Sequence, residues 1–257
     1  MEMNLYLDNS LAQAYKSPSQ KIRVLTEKWT GDNIYCPSCG SSLNQYENNK
    51  PVADFYCGKC REEYELKSKK EDIGLKILDG AYDTMIKRLA SNSNPNFFFL
   101  DYNADSLQVL NFLIIPKHFF IPQIIERRKP LAENARRAGW IGCYILLQKI
   151  PQTGKIFLVK DNKIEPKKKV LEKWKKTLFL REEKEITAKG WIMDIMSCIE
   201  TLNKKTFSLR EIYAFEKSLQ LKHPDNKYIK DKVRQQLQFL RDRDYLKFIG
   251  RGVYEVL

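Results

Sequence analysis

The sequence predicts an α/β domain carrying a cysteine-rich insertion, followed by a smaller α+β domain. Three observations carry this reading. β-Prone runs at 97–102, 107–115, 140–147 and 155–159 are interleaved with helical stretches. A charged run without apolar periodicity, Arg181 to Glu185, has the composition of a linker. The residues beyond it hold three helical periodicities and a closing pair of alternating strands. The expected domains are therefore 1–184 and 188–257.

The first helix starts at Ser17-Pro18-Ser19-Gln20. Ser17 suits an N-cap, Pro18 suits the first helical position, and Gln20 can complete a capping box. Ile22, Leu25 and Trp29 then share one face. Residues 36–67 are turn-rich, with extended segments at 52–56 and 62–67 that predict a β-hairpin. A polar helical stretch is expected over 75–90, ahead of the strands. Between the third and second of these strand runs lies a basic segment from Glu126 to Trp140, too charged for a core, and a basic helix follows at 166–176. In the second domain the expected helices are 191–202, 208–219 and 226–241. Ser208 and Glu211 form a capping box for the second of them. In the third, Ile229, Val233, Leu237 and Leu240 share a face, which turns Lys227, Asp231, Arg234, Gln235 and Gln238 the other way. The last strands flank Gly250-Arg251-Gly252, the form of the wing in a winged helix.

The formal charge is +13, from 45 Lys+Arg against 32 Asp+Glu, which points to a polyanionic partner because each neutralised phosphate releases a counterion. The N-terminus has no basic segment leading into an apolar one, so a cytoplasmic chain without a signal peptide is expected. No apolar run reaches the roughly 20 residues of a membrane span. A chain of this charge in a reducing compartment uses cysteines for metal more readily than for disulfides.

Cys36-Pro-Ser-Cys39 and Cys57-Gly-Lys-Cys60 are two C-x2-C pairs separated by 17 residues. Four thiolates from two tight turns complete a tetrahedron around zinc with no position left for water, so the expected role is structural. Cys143 and Cys198 are isolated in apolar surroundings and are expected in the core.

Pro51-Val52-Ala53-Asp54 is followed, eleven residues after the aspartate, by Glu65-Leu66-Lys67. An E-x-K triplet alone is weak, since it recurs at 165–167 and 182–184. Here, however, Glu65 and Lys67 stand at i and i+2 of a strand, on one face, and Asp54 lies on the other arm of the hairpin. Two carboxylates recruit magnesium, a hard cation that bridges to phosphate, and an adjacent lysine can orient water or offset developing charge. The alternative is a solvated hairpin face. The chain has only two histidines, His118 and His223, in unrelated contexts, which disfavours histidine-based nuclease chemistry. The absence of a G-x4-GK[ST] loop argues against nucleotide hydrolysis.

These motifs, with matching stretches at 47–57, 65–70, 94–100, 128–132, 135–143, 233–238, 240–242 and 250–252, resemble the PD-(D/E)xK restriction endonucleases and, within them, the methyl-directed DpnI family. The resemblance implies a restriction-endonuclease-like α/β core with an embedded four-cysteine zinc site and an α+β winged-helix domain. It also implies cleavage of double-stranded DNA at GATC sites bearing N6-methyladenine. Asp54, Glu65 and Lys67 take the catalytic positions, with magnesium held by Asp54, Glu65 and the backbone carbonyl of Leu66. One departure is that Pro51 stands three residues before Asp54, where the family signature places proline next to the aspartate.

Burying the added methyl against an aromatic wall favours methylated adenine by about 1 kcal/mol. Trp140 is the candidate wall, unless it simply opens a buried strand. Arg136 and Arg137 suit phosphate or guanine contacts. In the second domain Lys227, Arg234, Gln235 and Gln238 suit a helix in the major groove, and Arg251 suits phosphate or minor groove. No obligatory protein partner is expected, and a monomer suffices. Two other functions compete: a structure-selective repair nuclease, and a non-catalytic winged-helix regulator.

Overall fold

The computed structural model describes residues 3–47, 53–91 and 93–257. The chain divides into two compact units, Met1–Lys149 with Thr153–Thr177, and Ile150–Gln152 with Leu178–Leu257.

The first unit contains α1 (Pro18–Asn33), β1 (Asn44–Gln45), β2 (Phe55–Tyr56), β3 (Glu63–Lys70), β4 (Lys76–Ala81), α2 (Tyr82–Ala90), β5 (Asn96–Tyr102) and β6 (Val109–Ile115). It continues with β7 (Ile125–Arg127), β8 (Gly142–Leu146), β9 (Ile156–Lys160), β10 (Lys163–Ile164) and α3 (Lys167–Thr177). One sheet has the order β1-β2-β3-β5-β6-β9-β10, and a second the order β4-β8-β7. Strands β3 and β5 run parallel, from Tyr64 opposite Asn96 to Lys70 opposite Tyr102. Their crossover holds β4 and α2, as a parallel pair requires an intervening connection.

The core follows from β5. Phe97, Phe98, Phe99 and Leu100 are all fully buried, so this strand is covered on both faces and reads as an unbroken apolar run. Phe98 stacks on Tyr64 of β3 and packs against Phe112 of β6, which in turn meets Trp29 of α1. The indole of Trp29 donates to the carbonyl of Asn4 at 2.6 Å, giving its one polar atom a partner.

Three expectations for this unit need correction. Ser17 is the N-cap of α1 with Pro18 inside the first turn, but it makes no side-chain cap; its hydroxyl instead pairs with that of Ser19 at 2.9 Å. Residues 76–81 form a strand rather than the start of a helix, because Ile77 and Asp79 alternate inward against exposed Lys76 and Leu78, and the strand pairs with β8. The hairpin arm expected over 52–56 is regular only at Phe55–Tyr56, while Pro51 and Val52 lie outside the described residues.

The second unit contains α4 (Phe179–Glu182), α5 (Ile186–Leu202), β11 (Thr206–Ser208), α6 (Leu209–Tyr213), α7 (Glu216–Lys222), α8 (Ile229–Arg241), β12 (Leu246–Gly250) and β13 (Val253–Val256). The division at Thr177/Leu178 falls ahead of the charged run taken as a linker, since Phe179 and Leu180 are buried and Phe179 meets Phe239 and Tyr245 edge-on or tilted. Helix α5 ends at Asn203 in the left-handed conformation, a usual stop. The single helix expected over 208–219 is two short ones. Its buried residues Ile212 and Leu219 fall one each on α6 and α7 at a spacing that also fits one helix, so periodicity does not register the break. Three antiparallel strands in the order β11-β13-β12 close the unit, with β12 and β13 forming a hairpin around Arg251. Among the described residues, no helix is long and apolar enough to cross a membrane.

The capping box of α6 is complete: Glu211 Oε2 accepts from the Ser208 N–H at 2.7 Å, and the Ser208 hydroxyl accepts from the Glu211 N–H at 3.4 Å. Hydrogen bonds from Lys204 and then from Ser208 hold the Glu211 carboxyl down to about 2. A carboxyl lowered in the folded state stabilises it above the ordinary carboxylate range and loses that contribution as pH falls toward about 2. Replacing Ser208 by Ala is expected to cost about 1 kcal/mol at neutral pH. Glu211→Gln, which removes the titrating acceptor, should lessen the loss of stability across that acid window, measured by denaturant unfolding as a function of pH; an unchanged acid loss would show that Glu211 does not contribute to it.

Candidate active site and metal centre

Two turns of the same form hold the four cysteines. In each, the carbonyl of the first cysteine accepts from the N–H four residues on, Gly40 to Cys36 at 2.8 Å and Arg61 to Cys57 at 2.9 Å. In each, the first cysteine's N–H donates to the carbonyl five residues on, Cys36 to Ser41 at 2.7 Å and Cys57 to Glu62 at 2.9 Å. Gly40 and Arg61 both adopt positive φ to close these turns. The turns meet with Cys36 Sγ 3.4 Å from Cys60 Sγ and Cys39 Sγ 3.5 Å from Cys57 Sγ. All four sulfurs lie within 4.8 Å of one another, a cluster able to hold a metal. The Tyr64 hydroxyl sits 3.0 Å from Cys36 Sγ, where it can donate to a thiolate.

Tyr64 is also where the cluster meets the carboxylates. Strand β2 pairs with β3 through Phe55 opposite Tyr64, and the Asp54 N–H donates to the Tyr64 carbonyl at 2.9 Å. This register sets Asp54 beside β3 two residues beyond Tyr64, where its Oδ2 accepts from the Leu66 N–H at 2.7 Å. Glu65 and Lys67 share the opposite face from Tyr64. Lys67 Nζ lies 2.6 Å from Glu65 Oε1 and 2.6 Å from Asp79 Oδ1, and Arg88 of α2 pairs with the other Glu65 oxygen at 3.4 Å. The structure thus brings Asp54, Glu65 and Lys67 to one end of the β2–β3 pair.

Burial dominates the electrostatics. It raises the Asp54 carboxyl above its ordinary value, against the opposing Leu66 N–H bond, and Glu27 nearby adds to the rise. It raises Glu65 too, against Lys67, with Asp79 adding to the effect. For Lys67, burial alone would push the ammonium down, but Glu65 and Asp79 outweigh it and hold the lysine above its ordinary range. Removing one partner of such a buried pair leaves the other's charge uncompensated, at about 3–5 kcal/mol.

Three residues at this site escape the sequence reading. Asp79 is hidden because its strand resembles the start of a helix; alternation with Ile77 is the signal. Arg88 lies on the polar helix that follows. Glu27 of α1 is buried, pairs with Arg23 at 2.5 Å and takes a hydrogen bond from Gln45 at 3.4 Å. In sequence nothing separates it from its charged neighbour Lys28, which is exposed. Both histidines pack locally, His118 beside Thr177 at 2.9 Å and His223 stacked on Trp191 and paired with Asp194 at 2.8 Å.

The basic segment lies on the surface, in the connection between β7 and β8. Arg136 and Arg137 are exposed. Trp140 is half-buried in the loop before β8, with the Arg137 guanidinium 4.5 Å from its ring. Its ring lies so close over Gly142 that a Cβ there would stand 2.8 Å from it, so the glycine makes room for the indole. In the second unit Lys227, Arg234, Gln235, Gln238 and Arg251 are all exposed, Lys227 just before α8.

Replacing Cys57 by Ser should lower the bound metal and loosen the 53–67 hairpin, because the cluster closes only with all four sulfurs. Metal analysis together with hydrogen exchange over these residues measures this. A variant with full metal content and unchanged protection would show that the cluster does not clamp the hairpin.

Two families match the chain. The one described as DpnI, the Dam-replacing family, covers residues 3–183. The one described as the Dam-replacing HTH domain covers residues 187–256, the span of α5 to β13. The two matches agree with the resemblance drawn from the motifs, and the chain belongs to the DpnI, or Dam-replacing, family, with that family's helix-turn-helix domain at its C-terminal end.

Proposed function

We propose that the protein is a restriction endonuclease that hydrolyses double-stranded DNA with a PD-(D/E)xK centre formed by Asp54, Glu65 and Lys67. The observation that carries this reading is the Leu66 N–H bond to Asp54, which sets one carboxylate beside the strand whose next residues offer a second carboxylate and an ammonium. Membership of the DpnI family and the charge of +13 support a DNA substrate.

The carboxylates fit a hard cation. Both are buried enough to be driven toward protonation, and a bound cation relieves that cost with oxygen ligands alone. Asp54, Glu65 and the Leu66 carbonyl would hold magnesium, which supplies positive charge at the scissile phosphate and a more acidic water. The protein's own groups do the rest. Water adds to phosphorus and gives up a proton, the bond to the departing sugar oxygen breaks, and that oxygen leaves with a proton taken up in exchange. Lys67, kept as an ammonium between two carboxylates, offsets charge on the phosphoryl oxygens as it develops. Zinc is the metal we assign to the cysteine cluster, since four thiolates in two tight turns make a closed structural site.

Specificity for GATC sites bearing N6-methyladenine is part of the proposal. Trp140, partly exposed and backed by Arg137, offers an aromatic surface for the methyl, and Arg136 offers a phosphate contact. The exposed face of α8, with Lys227 ahead of it, presents Arg234, Gln235 and Gln238, whose side chains suit guanine and adenine edges. Arg251 in the β12–β13 turn suits phosphate or minor groove. One copy of the chain carries the complete set, so the enzyme acts as a monomer.

The test digests plasmid prepared with and without adenine methylation, in magnesium and in chelator. The methylated plasmid should be cut only in magnesium. Asp54→Ala, Glu65→Ala and Lys67→Ala should each lose about 100-fold or more in rate while still binding DNA. Wild-type cutting by any of the three would remove the proposed centre. Equal cutting of both plasmids would refute methyl direction, and cutting of branched DNA alone would favour a repair nuclease.

A further inference from the structure

Lys67 has two carboxylate partners, and they belong to different sheets. Glu65 is its neighbour on β3, whereas Asp79 is on β4, in the sheet that β4 forms with β8 and β7. We propose that Asp79 is a positioning residue that fixes the Lys67 ammonium for phosphodiester hydrolysis, independently of Glu65. The inference rests on the reading of Asp54, Glu65 and Lys67 as the hydrolytic centre.

The placement of Asp79 is specific. It stands opposite Cys143 of β8, and the register then slips between Asp79 and Ala81. Such irregularities re-aim side chains beside functional sites. The side chain is 5% exposed, and its Oδ1 lies 2.6 Å from Lys67 Nζ. The other groups around the pair leave this contact to Asp79. Arg88, from α2, pairs with Glu65 rather than Asp79. Cys143 is pushed up to about 12, mainly by burial, and stays a neutral thiol near Asp79.

The chemistry gives this second contact a purpose. An ammonium has three N–H donors. Glu65 and Asp79 take two of them, which leaves one to reach a phosphate or a water. A carboxylate that also held a metal would have less electron density for its lysine neighbour, so Glu65 alone would be a poor anchor. Asp79 has no place among the proposed metal ligands and keeps the ammonium in position whatever Glu65 does.

The test measures cutting of methylated plasmid in magnesium by the full-length protein, with DNA binding measured in chelator and thermal midpoints for each variant. Asp79→Ala is expected to lower kcat about 100-fold, the scale of a displaced catalytic group, and Asp79→Asn, which keeps the shape and an accepting oxygen, about 10-fold. KM and DNA affinity should not change. Asp79→Asn decides the matter where Asp79→Ala does not fold. Wild-type kcat in Asp79→Asn, or a raised KM with kcat unchanged, overturns the proposal. Lys67→Ala is measured alongside. If it cuts at the wild-type rate, the hydrolytic reading itself fails. If it is inactive while the Asp79 variants are wild type, only the role of Asp79 fails.

Discussion

A two-residue strand does not hold its register unaided, because an isolated hairpin is marginal in water. Strand β2 is that short, yet the position of Asp54 depends on it. Two features fix it. The Cys57–Cys60 turn joins β2 to β3 and belongs to the four-thiol cluster. Tyr64, whose carbonyl receives the Asp54 N–H, packs its ring on Phe98 in the core and its hydroxyl beside Cys36. The same residue therefore touches the four-thiol cluster, the central strand and the candidate active site, and a slip of β2 by one residue would take Asp54 away from the Leu66 N–H.

The second constraint is charge burial. Asp54, Glu65, Lys67 and Asp79 are largely removed from water, an arrangement that stability alone does not favour. Burial raises the carboxyls of both Asp54 and Glu65, and shifted groups gathered at one place are a feature of functional sites. The fold accommodates it by drawing the groups from separate elements: β3 supplies the neighbouring pair, β4 a second carboxylate for the lysine, α2 an arginine for the glutamate, and α1 the buried Glu27.

Much of this was legible in the sequence, for physical reasons that can be named. The cysteine pairs are visible because tight metal turns need fixed spacing. Glu65 and Lys67 are placed together because a strand has period two. The Ser208 capping box forms as read, since its partners are local. What escaped is non-local. The parallel pairing of β3 with β5 has no sequence signal, and Asp79 reads as helical because its six-residue strand leads straight into α2, with Gly80 the one local break between them. Ser17 failed as a cap through competition with Ser19, which the capping pattern does not weigh.

The cysteine cluster holds the hairpin that carries the proposed hydrolytic centre, and this coupling is open to experiment. It is tested most directly by stripping the cluster metal, returning the protein to excess magnesium, and following DNA cutting against metal content before and after zinc is restored. Cutting should fall in proportion to the metal lost and return with zinc. Full cutting by metal-free protein would contradict it.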